Sequence, residues 1–366
     1  ALPAGLTSVE VDVDRYPLNR TTSGVLSADE VWAEEITLTG SIIIPEGRTL
    51  VIAAGTLVTV AGTDDGSYLD SFGALEKPEG IAVWSEGLLA ARGEEGAPIR
   101  VDVEEGAGGR WGGLFGALDA TFVESRSSRE IRLSEASTFA HGSIESDVIV
   151  VGATSEFHHN TIDAARTSVQ LGGARLHHNR FHGAGQSGCL RLLGLGGHEV
   201  RNNILVDCPV DALGDDVAQS HDSDPPPLVI ENNTFVAHQQ QSTPAVALKN
   251  NFYSVPRGVR VPSAEEPVAV RFINNIIDGD WSGGLYLGAR PPNPGSVFQR
   301  NAILVPTRGL NDFGYGRPDD SYTYGGRQDR SGLFPLEGII ALGVDFGARS
   351  QDIRVAVPFV DPDAGD

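Results

Sequence analysis

Between residues 36 and 60 the apolar positions come in short clusters, each broken by a turn former. Ile36-Thr37-Leu38, Ser41-Ile42-Ile43-Ile44, Thr49-Leu50-Val51-Ile52 and Thr56-Leu57-Val58-Thr59-Val60 are separated by Gly40, Pro45-Glu46-Gly47 and Ala54-Gly55, with Ala61-Gly62 after the last. Val, Ile and Thr dominate, as in pleated, half-buried strands. Further short strands are expected at Ile81-Ala82-Val83, Leu88-Leu89-Ala90 and Ile99-Arg100-Val101-Asp102-Val103. No window of 12 residues holds a convincing helical period. One helical turn is suggested at Ser27-Ala28-Asp29-Glu30-Val31-Trp32, where Ser27 and Glu30 have capping-box spacing.

A second pattern is an internal repeat, apolar-x-x-Asn-x-apolar. It occurs as Phe157-His158-His159-Asn160-Thr161-Ile162 and Leu176-His177-His178-Asn179-Arg180-Phe181. It returns as Val200-Arg201-Asn202-Asn203-Ile204-Leu205, Ile230-Glu231-Asn232-Asn233-Thr234-Phe235, Phe272-Ile273-Asn274-Asn275-Ile276-Ile277 and Phe298-Gln299-Arg300-Asn301-Ala302-Ile303. Successive Asn residues are 19, 24, 30, 42 and 26 apart. A further unit, Leu248-Lys249-Asn250-Asn251-Phe252-Tyr253, would divide the gap of 42 into 18 and 24. Second strands lie between units, at Val169-Gln170-Leu171, Cys189-Leu190-Arg191-Leu192 and Leu285-Tyr286-Leu287. A minimum spacing of 18–24 with variable excess is what a coil with loop insertions produces. Asn suits the bend of such a coil, because it tolerates the left-handed region and its amide bonds nearby backbone. Stacked amides can also bond one another. The flanking apolar residues are expected to point inward in columns.

Composition sharpens this picture. The 366 residues carry 49 Asp and Glu against 27 Lys and Arg, a formal charge of −22. Such a field disfavours nucleic acid and anionic lipid. Gly and Pro number 45 and 21, about 18% of the chain where ~12% is usual, which argues against a helix bundle. No apolar run approaches ~18 residues, so no transmembrane segment is expected. The chain has no Met, and Ala1-Leu2-Pro3-Ala4-Gly5 lacks a basic or apolar leader, which reads as a mature N-terminus after export. Cys189 and Cys208 permit one disulfide or two buried thiols.

The Asn-Asn-x-apolar units resemble those of the right-handed parallel β-helix proteins, the pectate-lyase-like superfamily. The opening, from Trp32 through Ile52-Ala53-Ala54-Gly55-Thr56 to Gly109-Arg110-Trp111-Gly112-Gly113-Leu114, is similar to the first coils of many exported bacterial members. The ending, Pro358-Phe359-Val360-Asp361-Pro362-Asp363-Ala364-Gly365-Asp366, resembles a segment that such chains continue with further strand formers. The resemblance covers residues 30–310 and that tail. It implies an all-β chain: a lead-in and cap over 1–30, a right-handed parallel β-helix over 31–310, and a loop-rich C-terminal cap over 311–366, the chain continuing beyond 366. Within that cap, the Gly- and Tyr-rich segment 311–326 suits covering a solenoid end better than stacking on sugar rings.

The superfamily holds enzymes and non-catalytic surface proteins alike. Its lyases use Arg or Lys as base and often Ca²⁺ on the substrate carboxylate. The best local basic cluster for such a base is Lys249 with Arg257, Arg260 and Arg271; the competing reading is solvated turn residues. Gly214-Asp215-Asp216 resembles the paired Asp of polygalacturonase-like glycosidases, but the Gly-His-Gly and Arg-Ile-Lys elements are missing. Asp215, Asp216, Asp222 and Asp224 form the candidate Ca²⁺ site, oxygen donors at the irregular spacing that ion accepts, or else a solvated acidic loop. Asp361, Asp363 and Asp366 are a lesser acidic cluster. His158/His159 and His177/His178 hold matching places in adjacent units, so they are expected to stack ~4.8 Å apart. Two imidazoles could share a transition metal there, or the bends accept His as they accept Asn.

The expected function is that of an exported, secreted or cell-surface protein without catalytic activity, a scaffold or binding component whose partners are extracellular polysaccharide or other surface proteins. Assembly through the rod ends goes with it. The alternative is a polysaccharide-active enzyme, with polyuronate lyase ahead of glycoside hydrolase.

Overall fold

The computed structural model describes residues 21–61, 80–104, 111–169, 173–183, 189–193, 197–213, 226–238, 245–249, 269–279, 285–287, 297–299, 301–304 and 313–315. Every regular element among them is a β-strand, and every strand ladder is parallel. The chain divides into two compact units, Ala1–His182 and Gly183–Asp366.

In the first unit, Glu35–Leu38 pairs with Leu57–Val60, which pairs with Ile99–Val103, which pairs with Val123–Leu133. The expected strands at 81–83 and 88–90 are one, Ala82–Arg92, whose two halves pair with Ile42–Ile44 and Thr49–Ile52. Gly87 sits where those halves meet. A Cβ there would lie 2.2 Å from the Arg48 carbonyl oxygen and 2.5 Å from that of Pro45, so no side chain fits beneath the 45–48 turn. Later in the unit, Thr138–Ala140, Glu156–His158 and Arg175–His177 form one ladder, and Ser143–Val151, Thr161–Val169 and Arg180–His182 another. Registers align Phe139 with Phe157 and Leu176, and Ile144 with Ile162 and Phe181. All six are buried.

In the second unit the pairing repeats after three strands. Leu190–Leu193, Val210–Leu213, Val246–Lys249, Leu285–Leu287 and Phe313–Tyr315 form the first ladder. Glu199–Arg201, Leu228–Glu231, Val270–Ile273 and Val297–Gln299 form the second, and Ile204–Val206, Thr234–Ala237, Ile276–Gly279 and Ala302–Leu304 the third. The expected columns follow: Val200 aligns with Ile230, Phe272 and Phe298, and Leu205 with Phe235, Ile277 and Ile303. Burial of the first three in each column, at about 1.5–3 kcal/mol per large apolar side chain, is the main stabilising term.

All six repeat Asn residues are buried, at 3% exposure or less. In the first unit the Asn160 amide nitrogen and backbone N–H both donate to Asn179 Oδ1, at 3.1 and 3.0 Å. In the second, Asn203 donates in the same way to Asn233, Asn233 to Asn275, and Asn275 to Asn301. The spare amide hydrogens go to core-strand carbonyls, Asn233 to Val200 at 2.8 Å and Asn275 to Ile230 at 2.9 Å. Each of the six amide nitrogens donates at least one hydrogen bond, as burial requires.

Three readings of the sequence need correction. Residues 30–32 are a strand, Glu30–Trp32, and the supposed helical turn is absent; the Glu30 carboxylate accepts from Thr21 and from Trp32 Nε1 instead of closing a capping box. The extra repeat unit opens on Leu248-Lys249, which pairs outside the strand row its motif implies, and its Asn250 and Asn251 lie outside the described residues. Asn233 bonds Asn275 directly across 42 residues, and Val246–Lys249 belongs to a different ladder. Finally, the ladder Asn is not the residue in the left-handed region. The residue before it is: His159 and His178 each at φ 56°, Asn202 at 54°, Asn232 at 58° and Asn274 at 56°.

The choice left open for the cysteines falls to the disulfide: Cys189 and Cys208 are bonded and buried, with Cα atoms 5.0 Å apart. Closing a loop of this size constrains the unfolded chain by about 3 kcal/mol.

Candidate functional site

The densest set of chemically capable side chains lies in the first unit, on the bends that follow Thr138–Ala140, Glu156–His158 and Arg175–His177. Strand alternation buries Phe157 and Leu176, so His158 and His177, one residue on, face outward. The left-handed residue then turns the chain, which sets His159 and His178 outward and the next residue, Asn160 or Asn179, inward. Two adjacent histidines are thereby presented on each of the last two bends, and the first carries His141 alone.

Parallel register stacks them. His158 lies over His177 at 4.8 Å between ring centroids and 2° between planes; His159 lies over His178 at 4.7 Å and 2°. The second column extends to His141, 4.8 Å from His159, and to Phe122, 4.7 Å from His141. The columns meet edge to face, at 86° and 89°. At each meeting the two Nδ1 atoms approach, 2.9 Å for His158 with His159 and 3.0 Å for His177 with His178. Without a cation between them, one Nδ1–H donates and the other Nδ1 accepts, so each pair needs opposite tautomers.

The expected stacking at strand spacing is therefore present. His141 was legible as well: Phe139-Ala140-His141-Gly142-Ser143-Ile144 is the same unit with Gly in place of Asn. Gly142 N–H donates to Asn160 Oδ1 at 2.8 Å, and a Cβ there would lie 2.4 Å from the Phe139 ring. Searching only for Asn hides that unit.

Burial first, then the neighbouring rings of His177, His159 and His141, hold the His158 pKa down to about 4, against an opposing pull from Glu156. His159 is lowered too, by burial and then by His141, His178 and His177. Crowded imidazoles resist charging together. The donor nitrogens of His141, His158 and His159 lie within 4.8 Å of one another, as do those of His159, His177 and His178.

Of the other candidates, Arg271 and Lys249 lie among the described residues. Arg271 is in the second ladder of the second unit, where its Nε donates to Glu231 Oε1 at 3.0 Å. Glu231 also faces Arg201, which lies near Glu199, at ion-pair separations of 3.8 and 3.6 Å that are too long for hydrogen bonds. Lys249 ends the strand Val246–Lys249, opposite Leu213. Arg257, Arg260, Asp215, Asp216, Asp222, Asp224, Asp361, Asp363 and Asp366 lie outside the described residues, as does all of 311–326 except the strand Phe313–Tyr315. Among the described residues no helix is long and apolar enough to cross a membrane. Compared with protein-family models, with curated proteins and with solved structures, the chain matches none.

Proposed function

We propose that these ladders are the faces of right-handed parallel β-helix coils, and that the protein is an exported, non-catalytic scaffold or binding component outside the cell. The three-strand repeat of the second unit supports the coil: strand four pairs with strand one, five with two, six with three. Right-handedness follows from the chirality of parallel crossovers, which holds in about 98% of cases. The buried disulfide supports export, since such bonds persist in oxidising compartments.

The observation that carries the non-catalytic reading is the engagement of Arg271. Of the four lyase candidates it is the one with a described side chain, and its guanidinium is held by Glu231. A lyase base must be free to take a proton, and a groove for polyuronate must present net positive charge. The chain of Glu199, Arg201, Glu231 and Arg271 alternates sign instead. Partners of this reading are neutral extracellular polysaccharide or other surface proteins.

Incubating the protein with alginate, pectate and related polyuronates, with and without Ca²⁺, while following ultraviolet absorbance of unsaturated ends tests this. The expected outcome is no cleavage. Cleavage that disappears in Arg271→Ala or Lys249→Ala would establish the lyase reading in its place.

A further inference from the structure

We propose that the histidine array is a transition-metal site that takes one divalent ion from solution, with His159 as the donor shared by its two overlapping halves. The backbone does not call for this many histidines. In the second unit the same left-handed bends are made with Asn202, Asn232 and Asn274, and the strand-end places before them hold Arg201, Glu231 and Ile273. In the first unit both places are His in two successive coils, and His141 precedes them in a third. Five of the nine histidines of the chain are gathered here.

The donor geometry fits an imidazole-preferring ion. Two nitrogens bound at ~2.0 Å at right angles to one metal are ~2.8 Å apart, and in a tetrahedral site ~3.3 Å apart. The observed 2.9 and 3.0 Å lie between these, a spacing that an imidazole-binding divalent ion accepts in place of the shared proton. Burial and neighbouring rings disfavour protonation of His158 and His159, and neutral imidazole is the ligating form. His141, His159 and His178 are exposed and His158 and His177 half-buried, so an ion reaches the nitrogens directly. Both triads contain His159, and two divalent ions one strand spacing apart would repel. One ion per chain follows.

The test is calorimetric titration of the intact chain with Cu²⁺, Ni²⁺ and Zn²⁺ in a non-chelating buffer, with electron paramagnetic resonance of the Cu²⁺ form. Expected are one tight ion per chain, imidazole nitrogen couplings in the spectrum, and Cu²⁺ bound more tightly than Zn²⁺. His159→Asn keeps a residue suited to the left-handed bend and removes the shared donor. It should weaken binding by more than the about 10–100-fold that loss of an outer-shell partner costs. His158→Gln with His177→Gln, which takes one donor from each triad and leaves the bends alone, should do the same. His238→Gln, at a histidine that pairs with Asp207 and is no member of the array, should change nothing. Absence of a tight ion, or equal affinity in the wild type and both array variants, overturns the proposal.

Discussion

At the scale of single residues, the bend divides two tasks that the sequence reading had assigned to one side chain. One residue accepts positive φ and faces water; the next turns inward and bonds its counterparts on the neighbouring bends. The repeat made the inward Asn visible. Which of the paired residues takes the strained backbone was not visible, since His and Asn are both tolerant there. Asn233 shows what the inward task is worth. Its Oδ1 accepts from Asn203 twice, and its amide donates to Val200 and Asn275. Asn233→Ala leaves at least two buried groups unpaired, at about 1–3 kcal/mol each, so denaturant unfolding should show a loss of about 2–6 kcal/mol. Asn233→Asp, of the same shape, should not restore it, because an oxygen would then face the Val200 carbonyl.

The outward task carries a pH dependence. His158 has a folded pKa of about 4 against 6.5 for a free imidazole, because burial and then the rings of His177, His159 and His141 disfavour its charge, against the pull of Glu156. Between those values the unfolded chain binds more protons than the folded one, so stability falls as pH drops from 6.5 towards 4 and is fully present above 6.5. In metal-free protein, melting temperature followed over that range should decline less steeply in His158→Asn than in the wild type. Identical slopes would show that His158 does not titrate as its surroundings dictate.

At the scale of elements, strands were legible wherever Val, Ile and Thr cluster between turn formers, and the apolar members of each repeat fall in the columns their spacing implied. Phe235 is the sharpest case, fully buried and in register between Leu205 and Ile277. Phe235→Ala should cost about 3–5 kcal/mol, because a packed column cannot close over so large a void. An unchanged melting curve would show the column to be wrong. Two failures have local causes. The strands expected at 81–83 and 88–90 are one, because Gly87 lets the chain pass close under a turn. Ser27 and Glu30 matched a capping box over too few residues to outweigh the strand-forming Val31-Trp32 pair, which is buried in Glu30–Trp32. Leu248-Lys249, which opened the supposed extra unit but pairs with Ala212-Leu213, shows that a motif match is not a register. Phe272 pairs with Ile230 directly, and that backbone pairing decides which Asn residues are neighbours.

At the scale of the whole molecule, a charge of −22 and only two Lys argue against a cationic groove, and the paired Arg201 and Arg271 agree with that argument. The histidine array was legible in part: its stacking followed from the repeat, while the facing Nδ1 pairs depend on ring orientations that spacing does not encode. The claim on which the rest depends is that three-strand coils wind in one hand, with Asn side chains bonded from coil to coil. A crystal structure of the 366-residue chain measures this directly. The account predicts Glu199–Arg201, Leu228–Glu231, Val270–Ile273 and Val297–Gln299 side by side and parallel, right-handed crossovers, and Asn203, Asn233, Asn275 and Asn301 in one bonded row. Antiparallel neighbours, left-handed crossovers, or these Asn side chains exposed on different faces would contradict it.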